Sequence, residues 1–202
     1  MTGNPWDDRF GGDTYVYGTE PNDFLRAEAA RIPRGRVLAL AEGEGRNAVF
    51  LAGLGHDVTA VDLSREGLRK TEKLAADRGV AVTTVHADLA TYEPDRGAYQ
   101  GVIAIFAHLP APVRHAAYAR AAAALAPGGV MIVESYRPEQ VALGTGGPKD
   151  LALLPTLDDL RDDLAGLDLV VARAVVRDVV EGTLHTGRAA TVQVVAVRPA
   201  AG

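Results

Sequence analysis

The sequence predicts an α/β fold in which helices cover both faces of a doubly wound, mostly parallel sheet. Short apolar stretches, typical of buried parallel strands, alternate along the chain with amphipathic helical patterns. The first stretch, residues 37–41, runs into a glycine turn and then directly into a helical pattern, as in a βα unit. The 202 residues are enough for one domain with a full core, so we expect residues 1–202 to form a single domain.

Residues 1–32 are predicted to form an arm followed by a helix. Residues 1–20 are too rich in glycine for a long helix, but they carry a cluster of aromatic side chains. The arm either packs these side chains on the core or acts as a lid that closes over a ligand and excludes water. A helix over residues 21–32, with Thr19 as its N-cap, completes the segment. The aromatic residues of the arm are Trp6, Phe10, Tyr15 and Tyr17.

Five strands and three helices are expected in the central part of the chain. The strands cover 37–41, 57–61, 80–85, 100–106 and 130–136, and the helices cover 48–54, 65–78 and 112–125. Ser64 is placed to cap the second of these helices, and Arg114 and His115 are expected on the exposed side of the third. Parallel strands joined through helices bring their carboxyl ends to one edge of the sheet.

The last third of the chain is predicted to close the sheet with a hairpin. Residues 138–155 form a long loop with the glycine-rich segment 144–148, of the kind that often carries substrate contacts. A helix over 157–164 follows, and its four aspartates are expected to face the solvent. Strands 167–177 and 189–198 need no helix between them, because a hairpin joins antiparallel strands directly. The four aspartates are Asp158, Asp159, Asp162 and Asp163.

The turn after the first strand has the glycines of a nucleotide-binding loop but the wrong charge for a phosphate. Gly43-x-Gly45-x-x-Ala48 fits the dinucleotide fingerprint, and its glycines let a ligand approach the backbone. Glu42 and Glu44 flank the first glycine, and two like charges about 4 Å apart near a surface repel by roughly 4 kcal/mol. The loop therefore favours a ligand that carries an ammonium and a sulfonium over a pyrophosphate.

Three further strand ends deliver polar side chains to the same crevice. Asp62 follows the second strand and is expected to accept hydrogen bonds from a ribose diol, while Ser64 caps the next helix. Asp88 follows the third strand, where it either accepts a hydrogen bond from an adenine amino group, with Leu89 packed on the ring, or is an ordinary surface acid. His108 follows the fourth strand, either as a crevice residue or as a structural histidine.

Composition limits the partners. A net charge of −5 and a pI near 5.5 argue against nucleic-acid and anionic-membrane binding. Without cysteine there is no disulfide and no thiolate metal site, and we expect no bound metal. No signal peptide or membrane-spanning run is found, so we expect a cytoplasmic protein. The sequence leaves the oligomeric state open between a monomer and a homodimer.

These features together resemble the class I S-adenosylmethionine-dependent methyltransferases over nearly the whole chain. They are the loop 42–45, Asp62, Asp88, the Pro127-Gly128-Gly129 turn and the closing strand pair. More narrowly, three short motifs are similar to the tellurite-resistance and thiopurine methyltransferase-like group. The motifs are Tyr17-Gly18-Thr19-Glu20-Pro21-Asn22, Gly45-Arg46-Asn47-Ala48 and Phe106-Ala107-His108-Leu109-Pro110. The resemblance implies a Rossmann-like, seven-stranded sheet in the order 3-2-1-4-5-7-6 with the last strand antiparallel.

The resemblance also implies the activity and the cofactor. The activity is transfer of a methyl group from S-adenosyl-L-methionine to a small-molecule acceptor, which leaves S-adenosyl-L-homocysteine. Such an in-line displacement needs alignment and desolvation more than acid–base machinery, and the acceptor atom can be oxygen, nitrogen, sulfur or a metalloid. The implied cofactor-binding residues are Tyr17, Glu42, Gly43, Glu44, Gly45, Arg46, Asn47, Asp62, Leu63, Asp88, Leu89 and Phe106.

Two positions depart from the family pattern. Ala39 stands where the family usually has an acid that helps to hold the methionine ammonium, and Ala41 stands where it usually has a glycine. Glu42 is three residues further on, at the strand tip, and is expected to supply the missing charge. Arg46 is expected to pair with the methionine carboxylate through its planar guanidinium.

A histidine or arginine near the acceptor would orient it and take up its proton. The candidates are His108, His185 and Arg188, with Tyr136 less favoured. His185 and Arg188 lie in the connection 180–188, which either forms an exposed hairpin tip or reaches the acceptor side of the crevice. A nicotinamide-dependent oxidoreductase and a non-catalytic cofactor-binding protein on the same fold are the alternatives to a methyltransferase.

Overall fold

The computed structural model describes residues 4–200, and a seven-stranded sheet forms its centre. The strands are β1 (Arg36–Leu40), β2 (Asp57–Asp62), β3 (Val82–His86), β4 (Tyr99–Ile105), β5 (Leu125–Tyr136), β6 (Asp168–Glu181) and β7 (His185–Val197). Their order is β3-β2-β1-β4-β5-β7-β6, with β1 to β5 parallel and β7 antiparallel to both of its neighbours. The predicted fold class and strand order are confirmed.

Helices cover both faces of this sheet. They are α1 (Pro5–Phe10), α2 (Asp23–Glu28), α3 (Arg46–Gly53), α4 (Arg65–Asp77), α5 (Ala111–Ala124), α6 (Gln140–Leu143) and α7 (Leu157–Asp163), with single 3₁₀ turns at Ala29–Arg31 and Leu151–Leu153. Among residues 4–200, no helix has both the length and the apolar character needed to cross a bilayer.

The core has two halves, one on each side of the sheet. In β1, Leu38 and Leu40 belong to the half under α5 and α7, whereas Val37 and Ala39 belong to the half under α2 and α3. Successive side chains of a strand point to opposite faces, so a strand buried on both sides must be apolar at every position. This is why β1 reads as a continuous apolar run.

The N-terminal segment differs in detail from the prediction. The arm contains a short helix, α1, whose backbone is capped by the Asn4 side chain. The helix α2 is shorter than predicted, and its cap is Asn22, whose Oδ1 accepts a hydrogen bond from the backbone N–H of Leu25 at 2.9 Å. Thr19 is therefore not the cap. The cap of α4 is Ser64, as predicted, since its hydroxyl accepts from the N–H of Gly67.

The closing hairpin is longer than predicted. β6 runs to Glu181 and β7 begins at His185, so only residues 182–184 form the turn. The turn is held against the arm, because Thr183 donates its backbone N–H to the carbonyl of Val16 at 2.9 Å. Most of the predicted connection 180–188 is therefore strand, and strand geometry decides where its side chains point.

Two charged side chains expected at the surface form a buried ion pair. The Nε of Arg114 lies 2.5 Å from Oδ2 of Asp163, and both side chains are buried between α5 and α7. His115 is exposed, as expected, with Nδ1 at 3.1 Å from the same carboxylate. A charged residue can occupy the inner face of a helix when a partner on the next helix neutralises it, which the sequence pattern of one helix alone does not reveal.

Candidate active site

A cavity of about 520 Å³ opens at the carboxyl ends of β1, β2 and β4. The strand ends contribute Ala41, Glu42, Gly43, Asp62, Leu63, Asp88, Leu89, Ile105, Phe106, His108 and Leu109; α3 contributes Arg46 and Asn47; the arm contributes Trp6, Arg9, Phe10 and Tyr17; and the C-terminal loops and hairpin contribute Gly146, Gly147, Pro148, Leu153, Leu184 and His185. Most of the predicted site residues line this cavity; the exceptions are Glu44, Gly45 and Arg188.

Two residues at the cavity have a strained backbone. Ala41 has φ of 50° and Phe106 has φ of 54°, at the carboxyl ends of the neighbouring strands β1 and β4. A residue with a Cβ in this region costs on the order of 1–3 kcal/mol, and such residues cluster at functional sites because the surrounding structure must hold them. Ala41 has the backbone conformation that explains why similar loops usually have glycine there.

The two loop glycines have different roles. Gly43, with φ of 65°, lines the cavity and exposes its backbone there. Gly45, with φ of 91°, turns away toward α4, where an added Cβ would lie 2.7 Å from the Cα of Thr71. Gly43 is therefore the glycine that permits close approach of a ligand, whereas Gly45 permits close packing of the loop on α4.

Glu42 caps helix α3 from within the loop. Its Oε1 accepts hydrogen bonds from the backbone N–H groups of Asn47 at 2.9 Å and Ala48 at 2.8 Å. The other carboxylate oxygen accepts no hydrogen bond from residues 4–200, and the side chain lines the cavity. Burial raises the pKa of Glu42 to about 7, against the opposing effect of the two N–H groups and Arg46. The role of this carboxylate toward a ligand ammonium stays a prediction.

The raised pKa of Glu42 makes stability depend on pH in a way that glutamine at position 42 would remove. Because the folded-state pKa of about 7 exceeds the ordinary value of 4.5, the contribution is greatest at low pH and is lost as pH rises toward 7. We expect wild-type unfolding free energy, relative to Glu42→Gln, to fall by about 2–3 kcal/mol between about pH 5 and pH 8. Urea unfolding of both proteins at the two pH values measures this difference. Parallel pH profiles would contradict it.

Glu44 points away from the cavity and anchors the arm. Its Oε1 lies 2.8 Å from Nζ of Lys70, and both side chains are buried. Its Oε2 accepts from the backbone N–H of Val16 at 2.8 Å and of Tyr17 at 3.3 Å. The expected repulsion of phosphate therefore comes from Glu42 alone, because Lys70 neutralises Glu44. Glu44 acts on the cavity indirectly, by holding the segment that carries the Tyr17 ring.

Asp62 holds the glycine loop as well as lining the cavity. Its Oδ2 accepts from the N–H of Gly43 at 2.8 Å, and its Oδ1 accepts from the N–H of Ser64 at 2.8 Å. Burial raises the pKa of Asp62, against these N–H groups, which lower it. A carboxylate has about four acceptor positions, so both oxygens can each accept one further hydrogen bond from the cavity side.

Asp88 is the third acid that lines the cavity, after Glu42 and Asp62, and it follows the end of β3. It is exposed, and its Oδ1 accepts from the backbone N–H of Ala90 at 2.8 Å, which fixes the side chain. Leu63 and Leu89, the residues that follow the two acids, also line the cavity and give it apolar walls.

Arg46 is the cationic group on the loop side of the cavity. Its Nη2 donates to Oε2 of Glu181 at 2.7 Å, while its Nη1 is buried without a hydrogen-bond partner in the described part of the chain. A buried guanidinium N–H normally has an acceptor. An anionic group in the cavity would supply one. The side chain of Asn47 is occupied, since its Oδ1 accepts from the N–H of Asn22 at 2.9 Å.

An aromatic cluster forms the other end of the cavity. Phe106 packs against Tyr136, at 4.5 Å between ring centroids, and against His185, at 4.9 Å. His108 stacks on Tyr136 at 5.6 Å, and Tyr17 covers His185 at 4.4 Å. Both ring nitrogens of His108, Nδ1 of His185 and the hydroxyl of Tyr136 are buried with no hydrogen-bond partner among residues 4–200. Burial, together with His185, lowers the pKa of His108 to about 3, so this ring stays neutral near pH 7.

Strand geometry separates His185 from Arg188. His185 is 5% exposed and lines the cavity, whereas Arg188 is exposed. The two residues are three positions apart on β7, so their side chains point to opposite faces. The structure therefore does not support Arg188 as a catalytic residue. The sequence alone left two positions open for both residues, an exposed hairpin tip or the acceptor side of the crevice, and it did not show that β7 begins at His185.

Several residues that line the cavity or support it carry no signal in the sequence. Glu181 holds Arg46 but lies 135 positions away from it, so no local motif links the two. Arg9 donates to the hydroxyl of Tyr17 at 3.0 Å and lies over the ring of Trp6, at the mouth of the cavity. Gly146 and Gly147 belong to the long loop predicted over residues 138–155, and a Cβ on Gly147 would lie 2.5 Å from the Tyr136 ring.

Comparisons with known proteins agree with this geometry. Residues 37–129 match a family model described as a methyltransferase domain. No curated protein sequence matches the chain. Among solved structures, a protein from work on the conversion of a disulfide bond into a thioacetal group during echinomycin biosynthesis is 21% identical, with a TM-score of 0.77 over 96% of this chain and 91% of that one.

Two further solved structures have the same fold. A SAM-dependent methyltransferase from Methanosarcina mazei is 12% identical, with a TM-score of 0.71 over 90% of this chain and 100% of that one. TehB from Haemophilus influenzae is 16% identical, with a TM-score of 0.72 over 96% of this chain and 67% of that one. Residues 37–129 are therefore similar in sequence to a methyltransferase domain, and the whole chain shares its fold with these solved structures, one of which is described as a SAM-dependent methyltransferase.

Proposed function

We propose that the protein transfers a methyl group from S-adenosyl-L-methionine to a small-molecule acceptor within the 520 Å³ cavity. One observation carries the proposal. A single cavity joins an acidic glycine loop, at the end of β1, to a cluster of aromatic and imidazole rings with unsatisfied polar atoms. A volume of this size lies within the range of small-molecule and cofactor sites.

The residues on the loop side fit the cofactor. Arg46 Nη1 lacks an acceptor and suits the methionine carboxylate, while the free oxygen of Glu42 suits the ammonium. The spare acceptor positions of Asp62 suit the ribose hydroxyls, and Asp88 with Leu89 suits the adenine. When bound there, the cofactor supplies an electrophilic methyl group on a positively charged sulfur.

The residues on the ring side fit an acceptor that is small and not cationic. Phe106, Tyr136 and the neutral ring of His108 give this end apolar walls, and Arg9 and Arg46 are cations that line the same cavity. The walls exclude water and so remove the solvation that would weaken a nucleophile. The unsatisfied nitrogens and hydroxyl offer hydrogen bonds that would align the acceptor with the methyl group.

The arm, residues 4–17, would act as a lid over this reaction. Its aromatic side chains Trp6, Phe10 and Tyr17 line the cavity. The helix α1 is pinned to the start of α4, because Asp7 accepts hydrogen bonds from the hydroxyl of Ser64 at 2.6 Å and from the N–H of Glu66 at 3.2 Å. Residues 14–17 are held more firmly, by Glu44, Lys70 and Thr183, so opening of the lid for a ligand would move α1 rather than the end of the arm.

The finer assignment to the tellurite-resistance and thiopurine methyltransferase-like group is part of the same proposal. The motifs at 17–22, 45–48 and 106–110 support it, and so does the likeness in fold to TehB. This assignment leaves the acceptor atom open, because similar folds and loops serve many substrates.

Calorimetric titration tests the cofactor assignment. We expect S-adenosylmethionine and S-adenosylhomocysteine to bind with one site per chain, and NAD to give no heat above dilution. A screen of small thiol, amine, phenol and metalloid acceptors with labelled cofactor then tests transfer. Binding of NAD in place of S-adenosylmethionine would instead indicate an oxidoreductase. Cofactor binding without turnover of any acceptor would indicate a non-catalytic binding protein.

A further inference from the structure

A buried ionic cluster lies beneath the cavity, at the end of β6. Glu181 is 5% exposed, and its Oε2 accepts from Nη2 of Arg46 at 2.7 Å. Its Oε1 accepts from Nδ2 of Asn22 at 2.8 Å and lies 3.6 Å from Arg177. Nδ1 of His185 lies 3.8 Å from Oε2, beyond hydrogen-bond range but close enough for an ion pair when the ring is protonated. Burial raises the pKa of Glu181, but His185 and Arg46 outweigh it and hold the pKa at about 2.

Glu181 therefore contacts one residue from each end of the cavity. Arg46 lines the loop end, and its free Nη1 is the group that suits the methionine carboxylate. His185 lines the ring end, with Nδ1 toward Glu181 and Nε2 without a hydrogen bond to residues 4–200. Both contacts use the same oxygen of the carboxylate, so the position of one partner limits that of the other.

The two histidines at the ring end of the cavity have different neighbours, because only His185 lies beside the carboxylate of Glu181. His108 has both nitrogens buried without partners, and burial lowers its pKa to about 3, so it is a poor proton acceptor. Burial also lowers the pKa of His185, but Glu181 opposes this shift. A carboxylate behind an imidazole orients the ring and stabilises its protonated form. Of the two rings, His185 is therefore the better proton acceptor.

We propose that Glu181 is a positioning residue that fixes His185 as the proton acceptor for the nucleophile and fixes Arg46 as the clamp for the cofactor carboxylate. This inference rests on the proposed methyl transfer. As the acceptor's lone pair forms its bond to the methyl carbon, the carbon–sulfur bond breaks and its electron pair stays on sulfur. The proton released by the acceptor goes to Nε2 of His185, and the resulting imidazolium pairs with Glu181.

The titration of His185 depends on every charged or titratable group that faces it. Glu181 on β6 raises its pKa, while Arg46 on α3 and Arg9 on α1 lower it. Three further side chains with titratable groups also face it. They are Tyr17 from the arm, Tyr136 from β5 and His108 after β4.

Proton NMR titration of the ligand-free protein tests the coupling. The chain has five histidines, so the His185 ring signal can be identified as the one missing in His185→Gln. We expect the pKa of His185 to fall by about one to three units in Glu181→Gln, because an opposite charge within about 4–6 Å favours the charged ring. Asp178→Asn removes an exposed carboxylate from the same strand and should leave the pKa unchanged. An unchanged pKa in Glu181→Gln would overturn the proposal.

A second variant, Arg46→Gln, tests the same coupling if Glu181→Gln does not fold. In Arg46→Gln the carboxylate of Glu181 loses its closest cation, so the pKa of His185 should rise rather than fall. A fall, or no shift, would overturn the cluster as described. Opposite shifts in the two variants are not expected from a general loosening of the fold, which would move both toward the ordinary value of histidine.

Turnover separates the positioning role from a structural one. Under this proposal turnover requires neutral His185, so turnover should fall at acidic pH as His185 becomes protonated. In Glu181→Gln this acidic limb of the pH profile should move to lower pH, and the plateau should be at least tenfold below that of wild type. A structural defect would lower the plateau and leave the limb in place, and that result would overturn the positioning role. If wild-type protein binds no S-adenosylmethionine, the proposed function fails, yet the titration of His185 still decides whether Glu181 controls it.

Discussion

Replacing Glu134 with glutamine is expected to lower the unfolding free energy by about 3–5 kcal/mol. Glu134, near the end of β5, is 0% exposed. Arg177 donates to its two oxygens from Nε at 2.9 Å and from Nη2 at 2.7 Å. Three neutral side chains also donate to it. They are Asn22 at 2.6 Å, Gln193 at 2.7 Å and Thr191 at 3.0 Å.

The size of this effect follows from the number of donors. Glutamine keeps the volume of the side chain, so no cavity forms, but its amide NH₂ must face groups that also donate. Arg177 would lose its closest counter-charge in a buried setting, and removing one partner of a buried pair costs far more than the pair itself contributes.

Urea unfolding at about pH 7 measures this loss, with Asp178→Asn as the control. Asp178 is exposed on β6, so its replacement should change stability by less than about 0.5 kcal/mol. A loss below about 1 kcal/mol in Glu134→Gln would show that the cluster relaxes or admits water.

The parallel part of the fold could be predicted because its signals are local. An apolar run such as 37–41 is a strand buried on both faces, and a cap such as Ser64 marks the helix that follows. Once the strands are placed, parallel topology brings Asp62, Asp88 and His108 to one edge without further information. For this reason, the sequence could predict the cavity residues that lie at the carboxyl ends of the strands.

The charged residues of the loop could not be told apart in the same way. Glu42 and Glu44 are two positions apart, yet one caps α3 at the cavity and the other binds Lys70 behind it. The positive φ values of Ala41 and Gly43 set these directions, and no pattern in the sequence reports them. The lysine that neutralises Glu44 comes from a different helix.

The cluster beneath the cavity depends on contacts between distant parts of the chain. Asn22 donates to Glu134 and to Glu181, which are 112 and 159 positions away. The one local sign was a glutamate within an apolar strand, at position 134, since a charge is rarely buried there without a partner. Such a sign indicates that a partner exists, but only the tertiary structure identifies it.

Replacing Asp62 with asparagine is expected to weaken both the glycine loop and cofactor binding. The two oxygens of Asp62 accept from the N–H groups of Gly43 and Ser64, so an amide NH₂ at either position meets another donor. Leaving one buried donor unsatisfied costs about 1–3 kcal/mol of stability. Loss of the hydrogen bonds proposed to the ribose should lower affinity for S-adenosylhomocysteine by a further 2–3 kcal/mol or so, which is roughly 30- to 150-fold.

Asp88→Asn is the matched control, because it changes another aspartate of the cavity without affecting the loop. Asp88 is exposed and holds only the N–H of Ala90 among the described residues, so stability should change little and affinity should fall by about 1 kcal/mol or less. Unfolding in urea and calorimetric titration below the unfolding transition separate the two effects of Asp62→Asn. Unchanged affinity would remove the ribose contact, and unchanged stability would show that the loop does not need the carboxylate to hold Gly43.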